Sequence, residues 1–283
     1  MHAHLPSSVS SSEAPEVRRL MTVEDRSGEY PVTPIGNDWT RAYYDGPFYL
    51  YELPEDRPAV SLVFVQSRDG NTAANNPGEL GGGPTDRHLI YEGLSRVAAD
   101  GVLAGASTVG HSVFFTVTHP QIAALRGELG LPRHPAQIVL SEKGRIDFAS
   151  RVFSTPEVPV FLLAGDACVR QCAMEVRRRP WITMVPTSGD LVAALTTLRC
   201  DHGIDRISAV GGRNAATSLV DAGLVQDLYL TTSAIEAGEA NTPWYVGTES
   251  PRLDLIVRKK EDALEQPIIF EHFALEYSPN EPT

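Results

Sequence analysis

Cysteine is scarce in this 283-residue chain: Cys168, Cys172 and Cys200 are its only three. An odd, sparse set does not make a disulfide framework. Cys168 and Cys172 stand four apart on one side of an expected helix, but no further ligands lie nearby in sequence. The thiols are therefore read as structural, and no metal is expected. Positive charge is also short, with 24 Lys and Arg against 36 Asp and Glu and a formal charge of -12. Nucleic acids and anionic membranes select clustered basic residues, so neither is expected as a partner. A small phosphorylated ligand needs only a few local donors and is not excluded. No apolar run approaches the ~20 residues that cross a bilayer. The first residues, MHAHLPSSVSSSEAPEVRR, lack the apolar centre of a secretion signal. The expectation is a soluble, cytoplasmic protein that acts on a small molecule.

Apolar residues make up 42% of the chain, enough for a sizeable core. Residues 1–20 are rich in Ser, Pro and Glu and read as a disordered or loosely held tail. Residues 21–57 form an arm with Trp39, Tyr43, Tyr44, Phe48, Tyr49 and Tyr51 among Pro, Gly and acids. So many aromatics are expected to pack on the main domain, at a subunit contact or over the rim of a site. The main domain is expected over 58–278. Its first segment, Ala59 to Gln66 (AVSLVFVQ), reads as a strand buried on both faces. A glycine-rich loop, Asn75 to Thr85, follows, with Thr85 as the expected cap of a helix from Asp86 to about Ala99. Strands are expected at Gly101–Ala106, Pro135–Leu140, Val158–Ala164, Trp181–Val185, Arg206–Val210 and Leu224–Thr232, the last at a sheet edge. Helices are expected at Pro120–Leu129, Ala167–Arg178, Leu191–Cys200 and after Gly212. Two closing strands, Arg252–Lys259 and Pro267–Tyr277, suit an antiparallel hairpin. This alternation predicts one mostly parallel α/β sheet with antiparallel C-terminal strands. No GxGxxG loop follows the first strand, which argues against that kind of dinucleotide fold.

Polar groups gather where expected strands end, the position at which open α/β sheets bind ligands. Ser67 and Asp69 follow the first strand, in what is otherwise a plain Asp-Gly turn. Gly105 lies at the end of the second, and Ser107 and Thr108 follow it. Ser141, Lys143 and Arg145 follow the third, offering a hydroxyl and two cations to a phosphate monoester, or forming a solvated basic turn. The stretch Ile207–Leu219, ISAVGGRNAATSL, carries a strand, Gly211 and Gly212, then a helix start at Arg213 and Asn214. Bare backbone and a helix N-terminus favour an anion there, although a glycine pair also serves as a turn alone.

Four segments together carry a resemblance. RPAVSLVFVQSRDGNTA, GGPTDRHLIYEGLSRVAADGVLAGASTV, PAQIVLSEKGRID and ISAVGGRNAATSLVDAGLVQDLYLTTSAIEAG occur in an order similar to that of the reductase domain of bacterial riboflavin biosynthesis. The resemblance spans about 57–277. It implies a dihydrofolate-reductase-like three-layer α/β/α fold, NADPH as cofactor and hydride transfer to a phosphoribosylamino-pyrimidine or a related pyrimidine- or pteridine-like heterocycle. It further implies that Gly211, Gly212, Arg213 and Asn214 hold the pyrophosphate. Gly105, Ser107 and Thr108 would flank the nicotinamide half, and Ser141 with Lys143 or Arg145 would meet the adenosine phosphate. Ser67 and Asp69 would lie at the reacting ring as catalytic residues, and a homodimer is implied. Two positions depart from the pattern: Val210 stands where an acid usually precedes the glycine pair, and GHSVFFTVTHP lacks the usual acids. The zinc motif of a deaminase domain is also missing. The alternative is a catalytically inactive nucleotide-binding or regulatory protein that kept the fold.

Overall fold

The computed structural model describes residues 17–72, 80–237, 242–249, 251–261 and 267–277. The chain begins with β1 (Leu20–Asp25), β2 (Val32–Ile35), α1 (Asp38–Tyr44) and β3 (Phe48–Tyr51). It continues through β4 (Ala59–Gln66) and α2 (Gly83–Thr85), which runs into a π-helical stretch at Asp86–Leu94. Then come β5 (Gly101–Gly105), α3 (Pro120–Glu128), β6 (Ala136–Ser141), β7 (Val160–Ala164), α4 (Asp166–Arg177) and β8 (Ile182–Pro186). The last elements are α5 (Leu191–His202), β9 (Arg206–Val210), α6 (Arg213–Asp221), β10 (Val225–Thr232), β11 (Arg252–Glu261) and β12 (Ile269–Glu276).

One ten-stranded sheet, ordered β1-β11-β12-β10-β4-β9-β5-β6-β7-β8, organises all of this. From β10 across to β8 every neighbouring pair is parallel, whereas β12, β11 and β1 add antiparallel strands at one side. The near-continuous apolar runs of β4, β6 and β7 follow from this placement, since helices cover both faces. One face packs Val63, Val102, Val139 and Val210 against Leu89, Ile90 and Leu94, with Ile122 of α3 and Cys168 of α4 in the same core. The other packs Leu62, Leu103, Ala209 and Leu228 against Leu195 and Leu198 of α5 and Ala215, Ala216 and Leu219 of α6. The result is a three-layer α/β/α arrangement, as the resemblance implies.

Three expectations need correction. Thr85 does not cap the helix: it lies inside it, in right-handed helical geometry, and its Oγ1 accepts from the Arg18 amide at 3.1 Å. Turns begin earlier, at Gly83 and Pro84, where the missing proline N–H costs nothing. β10 is interior rather than an edge, flanked by β12 and β4. Residues 17–20, assigned to a loose tail, include the buried Val17 and Leu20, and Leu20 opens a strand paired with β11. The tail's first 16 residues, and 75–79 of the glycine-rich loop, lie outside the described residues.

The aromatic arm packs on the sheet. α1 starts with a capping box in which Asn37 accepts from the Thr40 amide and the Thr40 hydroxyl accepts from the Asn37 amide. β2 and β3 pair as a small separate sheet, with Tyr30, Val32, Tyr49 and Tyr51 against Ile256, Val257 and Ala274. Phe48 is fully buried, against the bare backbone of Gly93. Burying such a ring contributes about 1.5–3 kcal/mol.

Candidate active site

β9 lies between β4 and β5, with Val63 level with Val210 and Leu103 level with Ala209. The segments that follow these three strands therefore emerge side by side at the carboxyl edge. After β9, Gly211 and Gly212 take φ values of 71° and 83°, which L side chains adopt only with strain. They turn the chain into α6, whose nine residues start without a side-chain cap. The first helical hydrogen bond, Ala216 N–H to Gly212 O at 3.0 Å, leaves the N–H groups of the first turn directed outward. Thr108, on the turn after β5, closes against this backbone. A Cβ built on Gly212 would stand 2.8 Å from Thr108 Oγ1 and one on Gly211 3.6 Å from Thr108 Cγ2. Gly105 is equally close to the helix, its absent Cβ 3.6 Å from that of Ala215. Gly105, Thr108, Gly211 and Gly212 thus form one bare-backbone cradle under a helix N-terminus. Half-buried Arg213 and exposed Asn214 stand at its rim, with Ser107 exposed beside it.

On the other side of β9, the turn after β4 is knit by side chains. Ser67 is fully buried, and its Oγ donates to Asp69 Oδ1 at 2.5 Å. The same oxygen accepts from the Asn71 amide at 3.1 Å. Asp69 Oδ1 also accepts from the Ala237 amide at 3.1 Å, and Oδ2 accepts from Asn71 Nδ2 at 2.9 Å. Asn71 Oδ1 in turn accepts from the amide and hydroxyl of Thr242. Ser67 and Asp69 are therefore together, and they join the first strand's turn to the loop after β10.

The basic turn stands two strands away from β9, about 10 Å along the sheet. Ser141 is buried, and its Oγ accepts from the Gly144 amide at 3.1 Å. Lys143 and Arg145 are exposed on the same turn, held in place because Gly144 (φ 68°) packs directly on the Cys168 backbone. The bare cradle, the free helix donors and a cation-bearing turn farther along the same edge fit the diphosphate and the adenosine phosphate monoester of a dinucleotide. Among the described residues, no group of His, Cys, Asp and Glu is arranged to hold a metal, and no helix is long and apolar enough to cross a membrane.

Comparison with known proteins resolves the fold's kinship. The profile described as "RibD C-terminal domain" matches residues 58–264. The chain belongs to this family. Its fold is similar to that of a pyrimidine reductase-like protein from Corynebacterium diphtheriae, with a TM-score of 0.62 at 20% identity over 79% of this chain and 94% of that one. It also matches the Thermotoga maritima diaminohydroxyphosphoribosylaminopyrimidine deaminase/5-amino-6-(5-phosphoribosylamino)uracil reductase, with a TM-score of 0.57 at 17% identity over 78% of this chain. The present chain spans 57% of that bifunctional protein. The riboflavin biosynthesis reductase of Saccharomyces cerevisiae gives a TM-score of 0.54 at 16% identity, covering 80% of this chain and 93% of that one. No curated protein sequence matches significantly.

Within this RibD C-terminal domain, Val210 and the segment after β5, the two places where the sequence was expected to depart from the family pattern, both pack into the interior. Val210 is buried on the helix-covered face in the row that contains Val63 and Tyr229. The acid-free segment after β5 folds inward. Phe115 and Val117 are buried, and the Phe115 backbone bonds both ways with the Gln137 amide, at 2.9 and 2.8 Å.

Two polar clusters escaped the sequence reading. Glu92, 3% exposed, accepts from the Thr118 amide at 2.8 Å, the Thr118 hydroxyl at 2.7 Å and the His119 amide at 3.0 Å, with His88 Nδ1 at 3.3 Å. Burial alone would raise this carboxyl, but the hydrogen bonds from His88, Thr118 and His119 outweigh it and hold Glu92 at about 2. Burial pushes the neighbouring His119 imidazole down, with His88 adding to the effect. The second cluster is Asp86 with Thr231: the buried Thr231 hydroxyl of β10 donates to Asp86 Oδ1. Acids near a helix start usually signal only a favourable dipole contact, so residue type gave no sign of either partner.

Proposed function

We propose that this protein is an NADPH-dependent reductase that delivers hydride to a phosphoribosylamino-pyrimidine or a closely related heterocycle. The observation that carries the reading is the approach of Thr108 to Gly212 beneath the uncapped start of α6. The backbone N–H groups of Arg213 and Asn214 hold the diphosphate, with the Arg213 guanidinium adding charge. Gly105, Ser107 and Thr108 line the nicotinamide half. Ser141 with Lys143 or Arg145 receives the adenosine phosphate, and Lys143 and Arg145 are the groups that favour NADPH over NADH. When bound, the nicotinamide supplies the hydride.

The chain's own part is orientation and exclusion of water. Ser67 and Asp69 fix the floor beside the reacting ring, because their shared hydrogen bond sets the height of the turn after β4. The loop tied to Asp69 through Ala237 closes one side. Family membership and reductase folds among the structural relatives support this reading. A homodimer is also proposed, with the edge strand β1 available to it: Met21 and Val23 are exposed there. Sedimentation in solution tests that state.

The enzymatic test adds NADPH and 5-amino-6-(5-phosphoribosylamino)uracil and follows loss of nicotinamide absorbance. Turnover supports the reductase. NADPH binding without turnover on this or any related pyrimidine supports the alternative, a nucleotide-binding protein that kept the fold. Buried Val210 and the fully engaged Asp69 carboxylate favour that second reading.

A further inference from the structure

We propose that the amino edge of the sheet carries a second ligand site, one for a phosphate-bearing anion, built on Arg133, His134 and Arg151 around the buried guanidinium groups of Arg96 and Arg126. β5 and β6 start level with each other, Gly101 beside Ala136, and the segments just before them carry Arg96 and the adjacent Arg133 and His134. The glycine cradle and the Ser141 turn lie beyond the opposite ends of these five-residue strands, about 16 Å away. The proposal therefore goes beyond the reductase reading and does not depend on it.

The inner cations are fixed by backbone carbonyls. Arg96 is 2% exposed and Arg126 1%. Arg96 Nη1 donates to Thr116 O at 2.6 Å, and the guanidinium stacks on Tyr91, 4.2 Å from the ring centre. Arg126 Nη1 donates to Ala99 O at 2.7 Å, and Nε donates to Pro132 O at 2.7 Å, which holds the loop that carries Arg133. Arg96 Nε and Nη2 and Arg126 Nη2 meet no acceptor among the described residues. Leaving such groups buried and unpaired is costly, and an anion offsets that cost. Burial lowers Arg126 to about 10, against the opposing charge of Asp100 and with Arg96 and Arg133 adding to the fall.

The outer cations are tied to the same segment. Thr116 Oγ1 is 2.7 Å from His134 Nδ1, so one threonine joins His134 to Arg96 and leaves His134 Nε2 for a ligand. Half-buried Phe114 stands edge-on to His134, with ring centres 5.4 Å apart, and the exposed Arg151 guanidinium lies 5.1 Å over the Phe114 ring. Among the described residues, none of these four arginines is within ion-pair distance of a carboxylate, although the chain has a formal charge of -12. Asp100, the acid that acts on Arg126, already accepts at Oδ2 from the Asp205 and Arg206 amides. Burial lowers the His134 imidazole, and Arg133, Arg126 and Arg151 push it further down. A phosphate dianion suits this field, because its several oxygens accept from planar guanidinium forks. Its charge opposes that of the arginines, so binding favours the protonated imidazole.

The test titrates inorganic phosphate and, separately, adenosine 5′-monophosphate into the full chain at constant ionic strength, with nuclear magnetic resonance of backbone amides and of labelled histidine rings. Amides of residues 112–116 and 131–134 are expected to shift, and His134 is expected to titrate at higher pH when phosphate is bound. The double variant Arg133→Gln, Arg151→Gln alters only exposed side chains, and circular dichroism checks its fold. It is expected to bind phosphate here about tenfold or more weakly. Lys143→Gln with Arg145→Gln, at the other edge, is expected to leave these shifts unchanged. Equal affinity for the two probes assigns the site to phosphate alone, and tighter adenosine 5′-monophosphate assigns it to a phosphate ester; both support the proposal. Shifts confined to residues 141–145 and 211–214, shifts that chloride reproduces, or a folded double variant with wild-type phosphate affinity overturn it.

Discussion

Thr108 and Gly212 are in such close contact that a methyl group on the glycine would meet the threonine hydroxyl at 2.8 Å. The Gly212 φ of 83° adds backbone strain of about 1–2 kcal/mol for any L residue. Gly212→Val is therefore expected to remain folded by circular dichroism while NADPH affinity falls at least about tenfold, or ~1.4 kcal/mol. Quenching of protein fluorescence by NADPH measures it. A folded variant with wild-type affinity would remove the glycine pair from the binding site.

Asp69→Asn is expected to leave NADPH binding intact and to lower the rate of pyrimidine reduction. The substitution places an amide NH2 or a weaker acceptor where Oδ1 takes Ser67 and Ala237 and Oδ2 takes Asn71. A cost of about 1–3 kcal/mol should fall locally, on the junction of two loops. Faster hydrogen exchange at Asn71 and Ala237, with other amides unchanged, checks this.

Glu92 links acid stability to the π-helical stretch. Its folded pKa of about 2 lies below the ordinary glutamate value, so the stabilisation is complete above about 4.5 and lost as pH falls towards 2. The shift corresponds to about 3 kcal/mol. Glu92→Gln should lower the urea midpoint at pH 7, and the difference from wild type should shrink progressively below pH 4.5. A constant difference across this window would contradict the assignment.

Gly93→Ala tests how the arm docks. The new methyl would stand 3.0 Å from Phe48 Cζ and 3.0 Å from His88 O. Alanine is the better helix former by about 1 kcal/mol, yet overpacking costs about 1–3 kcal/mol. Net destabilisation with earlier proteolysis in residues 21–57 is expected; a stabilised protein would mean that Phe48 yields readily.

Much of the sheet was legible because buried parallel strands announce themselves as apolar runs. β4 and β9 begin and end at the residues the sequence suggested. β10 misled because its polar residues are buried, not solvated. Asp227 meets His272 Nε2 at 2.7 Å, and Thr231 meets Asp86. Alternation therefore mimicked an edge strand. β1 could not be read as a strand of the main sheet because its partner, β11, comes from the far end of the chain. The glycine cradle was visible as bare backbone between strand and helix. Asp86 and Glu92 were not, since neither helix position advertises the strand hydroxyl or loop amides that tertiary packing brings to it.

The most direct test is the structure of the protein with NADPH bound. The account predicts diphosphate oxygens within about 2.7–3.2 Å of the Arg213 and Asn214 backbone nitrogens, with the adenosine phosphate at Ser141 and Lys143 or Arg145. A diphosphate bound elsewhere, or a cradle filled by the Arg213 side chain instead, would contradict it.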